Sequence, residues 1–264
     1  MIGLISGTSE GKEILGLLNK YTEDILVSTA TEYGGELLKD YKYKILNTKP
    51  LDLFSMENMF KENNIKILID ASHPYAVDVS KNAMCVCEKL NIHYIRYERE
   101  SLINKFLNED KVVLIESYEQ LYKHLNKIQG TILNTTGSRN LDKILSLNIK
   151  NRIVHRVLPS LKVMEECYKL GIKLDDLIAI KGPISYELNR AFIKEFNAKA
   201  ILMKDSGREG GTEEKIKAAL DENIFIFVID RKRINYKNVF YEKDKLVEYV
   251  INFNTINMSD IRKG

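Results

Sequence analysis

The first turn of the chain reads Ser6-Gly7-Thr8-Ser9-Glu10-Gly11, directly after an apolar run and directly before a helical pattern. Glycine lets a backbone approach a phosphate closely, and a helix N-terminus offers unpaired N–H groups and a partial positive charge. Thr8 and Ser9 add hydroxyl donors, so Gly7, Thr8, Ser9 and Gly11 form a candidate cradle for a pyrophosphate. The spacing is not the full G-x-G-x-x-G, because Ser6 stands where a glycine is usual. A plain strand–helix turn capped by Ser9 also fits these residues. Glu32 lies about 20 residues beyond Gly11, where a carboxylate can accept hydrogen bonds from an adenosine ribose and repel a 2′-phosphate. A solvated loop glutamate fits that position equally well.

A second candidate is Asp70-Ala71-Ser72-His73-Pro74-Tyr75-Ala76. Pro74 biases His73 away from helical geometry and can open the next helix. A histidine held this way can donate a proton or grip an anion, and it can equally serve as a cap or core residue. His93, His124 and His155 have no such setting and receive no role. Arg139, Arg156, Lys181, Lys204 and Arg208 fall at or just after apolar runs, and Arg96 and Arg99 end another. Singly each reads as a surface cation. Gathered on one site they suit a ligand with several carboxylates or phosphates. Asp205, flanked by Lys204 and Arg208, is expected to stay ionised and to orient its neighbours rather than donate a proton. Cys85, Cys87 and Cys167 cannot all pair, and Cys85-Val86-Cys87 lacks zinc-knuckle spacing, so no metal site is expected.

These residues need elements to position them. Strands are expected at 2–6, 24–28, 43–46, 66–71 and 93–97, then at 112–116, 131–134, 153–157, 177–180, 200–203 and 225–229. Helices are expected between them, at 10–20, 35–41, 53–63, 77–90, 118–127, 141–147, 160–170, 186–196 and 213–221. Strand–helix alternation with Ile/Val/Leu-rich strands implies parallel sheets covered on both faces. The expected fold is α/β, with two Rossmann-like open parallel-sheet domains and a ligand cleft between them. The charged stretch 100–111 interrupts the rhythm, so the expected domains are 1–104 and 105–251, followed by a polar, flexible tail at 252–264. In such sheets ligands sit beyond the carboxyl ends of the strands, and the unusual residues of this chain collect there.

Composition narrows the function classes. With 264 residues, 44% hydrophobic and 29% charged, the chain has the make-up of a globular protein. A net charge of +3, without basic runs interleaved with aromatics, does not suit a nucleic-acid partner. No apolar stretch approaches the ~20 residues of a membrane span. No signal-peptide pattern opens the chain, so a cytoplasmic location is expected. The oligomeric state is not readable.

The segments GTSEG, DASHPYA, TTGSRN, RVLP, KGP and KDSGREGGTEEKIKAA stand in this order and at these intervals. Together they resemble the precorrin-6A reductase family, which includes cobalt-precorrin-6A reductases of vitamin B12 biosynthesis, over roughly residues 1–250. The resemblance implies hydride delivery from a nicotinamide dinucleotide to a double bond of a tetrapyrrole macrocycle, (cobalt-)precorrin-6A, giving the 6B form. It implies that Gly7, Thr8, Ser9 and Gly11 hold the cofactor, with Thr136, Gly137 and Ser138 from the other domain. It places His73, Tyr75, Lys204, Asp205 and Ser206 at the reacting end, with His73 or Tyr75 as proton source. Arg96, Arg139 and Arg208 are expected on substrate carboxylates. After the second strand TATEYGG lacks the arginine of NADPH-preferring members, so with Glu32 the expectation is NADH, NADPH being the alternative. A second reading of the same residues is a non-catalytic two-domain α/β module that binds an anionic metabolite. A glycosyltransferase, the third, finds no acidic sugar-nucleotide motif here.

Overall fold

The computed structural model describes residues 1–231 and 234–261, with backbone alone for 254–261. The chain divides into two compact units: Met1–Arg99 joined by the returning segment from Ile234, and the stretch from Glu100 to Arg231.

The first unit runs β1 (Ile2–Ser6), α1 (Ser9–Leu18), β2 (Ile25–Ser28), α2 (Glu32–Glu36), β3 (Ile45–Asn47), α3 (Leu53–Glu62), β4 (Ile67–Ala71), α4 (Val77–Leu90) and β5 (His93–Tyr97). The second runs β6 (Val112–Ile115), α5 (Tyr118–Leu125), β7 (Thr131–Asn134), α6 (Leu141–Ser146), β8 (Ile153–Val157), α7 (Leu161–Lys169), β9 (Leu177–Ala179), α8 (Tyr186–Glu195), β10 (Ala198–Lys204), α9 (Thr212–Asp221) and β11 (Phe225–Ile229). The chain then returns to the first unit as β12 (Val239–Phe240) and α10 (Lys243–Ile261).

Each unit is built on a six-stranded sheet, ordered β12-β5-β4-β1-β2-β3 in one and β6-β11-β10-β7-β8-β9 in the other. Every described pairing is parallel. Leaving aside the edge strands β12 and β6, in both the chain winds outward from a central strand in one direction (β1-β2-β3, β7-β8-β9) and then restarts on its other side (β4-β5, β10-β11). The break falls between β1 and β4 in the first unit and between β7 and β10 in the second. Turns leaving such neighbouring strands part to opposite faces and open a crevice at their carboxyl ends.

The cores follow from the apolar runs. Leu4, Ile25, Val27, Ile67 and Ile69 pack with Ile14, Leu15 and Leu18 of α1 on one face of the first sheet. Met56, Phe60, Ala83 and Val86 of α3 and α4 cover the other face. Five helices end on an asparagine with φ between 45° and 58°, namely Asn64, Asn91, Asn148, Asn197 and Asn223. Asparagine thus takes the left-handed position that glycine more often fills after a helix.

The division differs from the expected 1–104 and 105–251. Arg96 N–H donates to the Asn238 carbonyl at 2.8 Å and Glu98 N–H to Phe240 at 2.9 Å, which adds β12 to the edge of β5. Leu246, Val247 and Val250 of α10 are buried beside α1. Burying such side chains contributes about 1.5–3 kcal/mol each, and this draws the segment back to the first unit. Residues 252–261 of the expected flexible tail continue α10, and 262–264 lie outside the described residues. The helix expected at 35–41 starts earlier, because Thr31 Oγ1 accepts the Gly34 N–H at 3.0 Å and caps α2 at Glu32.

Candidate active site

The 7–11 turn and the 72–76 turn leave β1 and β4, on either side of the first unit's break in strand order. They touch. Gly7 N–H donates to the Ala71 carbonyl at 3.4 Å, and Thr8 Oγ1 donates to the same oxygen at 3.2 Å. Thr8, rather than Ser9, caps α1: its backbone is extended and its Oγ1 accepts the Gly11 N–H at 3.4 Å. A Cβ on Gly7 would lie 3.3 Å from the His73 nitrogen and the Ser72 Cα. On Gly11 it would lie 2.5 Å from Ser6 Oγ and 3.0 Å from Ser6 Cα, so only glycine lets α1 lie this close to β1. Gly7 and Ser9 are exposed at the N-terminus of this ten-residue helix, and that arrangement fits a pyrophosphate.

Glu10 complicates the picture, because a carboxylate in the first turn would repel a phosphate. It is fully buried, and Arg99 grips both of its oxygens while Ser9 Oγ donates at 3.0 Å. Burial opposes the charge, but the Arg99 hydrogen bond and field outweigh it and hold the carboxyl below its usual range. The turn is therefore close to neutral before any ligand arrives.

His73 is half-buried, and its Nδ1 accepts the Tyr75 N–H at 3.2 Å. The neutral ring then carries its proton on Nε2. The Tyr75 ring lies beside it, centroids 5.8 Å apart. Beneath this turn is a buried network. Asp70 accepts from Arg96 at 2.9 Å, from the Ser72 N–H at 3.0 Å, and from Ser80 Oγ and Tyr94 Oη at 2.6 Å each. Arg96 also donates to Ser72 Oγ at 2.9 Å and to Glu98 at 3.1 Å, under the Tyr236 ring. Burial disfavours the Asp70 charge, yet Arg96 and the hydroxyl donors hold its carboxyl below the usual range.

The expectation for Arg96 is corrected here. It is 0% exposed and committed to Asp70, Ser72 and Glu98, so it braces the His73 turn from below and does not meet a substrate carboxylate. Glu32 lies exposed at the start of α2, beyond the carboxyl end of β2.

The second unit repeats the geometry. Thr135 N–H and Oγ1 donate to the Leu202 carbonyl at 2.8 and 3.0 Å, joining the turn after β7 to β10. Thr136 is buried and donates twice to Asn134 Oδ1, while Asn134 Nδ2 meets His155 Nδ1 at 3.0 Å. Burial pushes His155 down to about 4, so it is neutral and structural. Gly137 has φ +81° and no atom within 4 Å of a Cβ position, and it lies with Ser138 and the exposed Arg139 on the open part of this turn.

Lys204 Nζ donates to the Thr136 carbonyl at 3.0 Å, and burial with the nearby Arg139 pushes it down to about 8. Arg208 is exposed in the short turn Arg208–Gly210. Ser206 N–H donates to Thr212 Oγ1 at 3.0 Å. Asp205, expected at the reacting end, is 2% exposed. Its carboxylate accepts Ser101 Oγ at 2.7 Å and the N–H groups of Leu102 and Gly207 at 3.2 Å, with Arg231 at 3.5 Å. It orients the turn, and Arg231 is a cation beside it.

Sequence reasoning passed over Glu10, Tyr94, Asn189 and Lys215. Two of them carried a signal. Glu10 shares the buried stripe of α1 with Ile14 and Leu18, and Lys215 shares that of α9 with Thr212, Ile216 and Ala219. A charge on an apolar stripe has a specific partner or a specific task. Among the described residues, no group of three metal-ligating side chains is placed to hold an ion, and no helix is long and apolar enough to cross a membrane.

Comparison with known proteins bears on the chain as a whole. The chain is similar to the cobalt-precorrin-6A reductase of Methanocaldococcus jannaschii, 34% identical over 250 residues, covering 94% of this chain and 97% of that one. The cobalt-precorrin-6A reductase of Priestia megaterium is 32% identical over 256 residues, covering 96% and 98%. The precorrin-6A reductase of a Sinorhizobium species is 22% identical, covering 87% and 84%. Among solved structures, a CobK precorrin-6A reductase shares the fold with a TM-score of 0.77 at 14% identity, covering 95% of this chain and 96% of that one. The family model described as "Precorrin-6x reductase CbiJ/CobK" matches residues 1–251, and the chain belongs to that family.

Proposed function

We propose that this protein reduces cobalt-precorrin-6A to cobalt-precorrin-6B, adding a hydride to one carbon of a ring double bond and a proton to the other. The observation that carries this reading is the contact between the glycine turn after β1 and the His73 turn after β4. One turn offers backbone N–H groups to an anion, and the other offers an imidazole proton beside it. The cobalt-bearing substrate is favoured because relatives named for it are 34% and 32% identical, against 22% for a metal-free counterpart.

A bound reduced dinucleotide supplies the hydride. The chain's own residues do the rest. Gly7, Thr8, Ser9 and Gly11 would hold the pyrophosphate, and Thr136, Gly137 and Ser138 are the second unit's candidates for the cofactor. Glu32 accepts hydrogen bonds from the ribose and disfavours a 2′-phosphate, so NADH is the preferred donor. His73 holds the proton on Nε2, with Tyr75 fixing the ring through its N–H. Lys204, Arg139 and Arg208 present cations to the carboxylates of the macrocycle. Ser206 and Asp205 shape the turn that carries them.

Anaerobic turnover of cobalt-precorrin-6A with NADH tests this. His73→Ala is expected to lower kcat by about a hundredfold or more while NADH affinity is unchanged. Unchanged turnover and substrate affinity would remove His73 from the reaction. kcat/KM is expected to be at least ~tenfold higher with NADH than with NADPH, since a second negative charge would face Glu32. A clear NADPH preference would remove the role given to Glu32.

A further inference from the structure

Glu10 is out of place in an anion cradle. It is the second residue of α1, two beyond the Thr8 cap, and it is 0% exposed. The positive end of a helix attracts a carboxylate of its own chain as it attracts a phosphate. Ser9 Oγ already donates to Glu10 Oε2 at 3.0 Å. A hydroxyl has one hydrogen, so Ser9 gives it either to Glu10 or to an incoming phosphate. Burial opposes the Glu10 charge, yet Arg99, with smaller help from Glu10's own backbone N–H and from Ser9, holds the carboxyl below its usual range. The carboxylate thus draws on donors at the very end of the helix that the cradle needs. Left to itself, it would be a competitor built into the site.

Arg99 is the counterweight. It stands two residues past the end of β5, is 9% exposed, and donates from Nε to Oε1 and from Nη2 to Oε2 of Glu10. This two-pronged grip turns both oxygens toward the guanidinium and balances their charge. The other cation nearby is engaged elsewhere. Lys243 of α10 pairs with Glu13, one turn further along α1, and its ammonium is held above the usual value chiefly by Glu13, with Tyr97 and Glu10 adding less. A buried ion pair adds little net stability over apolar side chains of similar size. The consequence of this pair therefore lies in the charge it leaves at the helix end.

We propose that Arg99 is a positioning residue for the dinucleotide: it acts through Glu10, cancelling that carboxylate and keeping it off the donors that the pyrophosphate takes. This rests on the reading of the α1 N-terminus as the dinucleotide cradle of a reductase.

The test uses Arg99→Met, Glu10→Gln and the double variant in the full chain. The readouts are Tm and, by fluorescence, Kd for whichever of NADH and NADPH the wild type binds more tightly. Arg99→Met is expected to raise Kd about tenfold or more, because an unbalanced carboxylate then faces the pyrophosphate. Glu10→Gln is expected to bind as tightly as the wild type or more tightly, since the cation remains and the competitor is gone. Both single variants should lower Tm, because each strands one buried charge. The double variant should return Kd to within about threefold of the wild type. Affinities that move apart while both Tm values fall are a signature that a merely structural pair would not give. Unchanged affinity in Arg99→Met would overturn the proposal, and so would weakened affinity in Glu10→Gln. A double variant as weak as Arg99→Met would overturn it too, by making Arg99 a direct ligand of the dinucleotide. If Arg99→Met does not fold, Glu10→Gln and the double variant decide by the same outcomes. Wild-type protein that binds the dinucleotide but does not reduce cobalt-precorrin-6A would end the reductase reading alone, since the affinities would still decide the role of Arg99.

Discussion

Asp70 shows how a residue far from any exposed surface can govern one that is half-exposed. Its two oxygens take Arg96, Ser72, Ser80 and Tyr94, and through Ser72 they hold the backbone that carries His73. Replacing Asp70 by Asn would leave Arg96 buried with Glu98 as its remaining carboxylate, at a cost of about 3–5 kcal/mol in urea unfolding. A loss below about 1 kcal/mol would show that the pair is not what braces the turn. His155 gives a second measurable signature. Its folded value is lowered to about 4 by burial, against 6.5 for the free side chain, so between those values the unfolded chain binds the extra proton. Stability is therefore complete above pH ~6.5 and declines toward pH ~4, by up to about 3 kcal/mol from this residue. His155→Asn should flatten that part of the stability–pH curve, and an unaltered slope would contradict the assignment.

At the scale of elements, the glycine at 11 sets how closely α1 approaches β1. In Gly11→Ala the new methyl meets Ser6 Cα as well as Oγ, so a rotamer change cannot relieve it and the helix must move. The expected cost is about 1–3 kcal/mol in thermal unfolding, with weaker NADH binding, because the helix N-terminus shifts with it. The returning segment makes a second prediction. Ending the chain after residue 231 removes Leu246, Val247 and Val250 from the α1 face, and the first unit should fail to give a cooperative melt. These two elements also show what the sequence exposes. Strands 2–6, 93–97, 131–134, 153–157 and 225–229 could be read to the residue. Those at 2–6 and 225–229 are near-continuous apolar runs, as parallel strands covered on both faces are, whereas 93–97 and 153–157 carry a His and an Arg among apolar and aromatic neighbours. β12 could not, since two residues carry no periodicity, and α10 is helical within a stretch whose polarity resembles a tail. The turns at the strand ends were legible from residue type. The partners of Arg96, Arg99 and Asp205 were not, because they come from β4, α1 and the crossover after residue 100, distant in sequence.

Over the whole molecule strands β1–β5 and β7–β11 share one winding order, with the break between β1 and β4 in one unit and between β7 and β10 in the other. No sequence repeat announces this likeness. The first break gathers a glycine cradle and an imidazole, and the second gathers cations and hydroxyls. Such a division of labour suits a reaction in which a dinucleotide and a many-armed anionic ring must be aligned while the protein itself forms no covalent bond. The measurement that tests this most directly is anaerobic turnover of cobalt-precorrin-6A with NADH deuterated at the transferable position, followed by mass analysis of the macrocycle. The account predicts product carrying the deuterium, formed in step with NADH oxidation and lost in His73→Ala. A macrocycle that stays unreduced, or is reduced without taking the label, would contradict it.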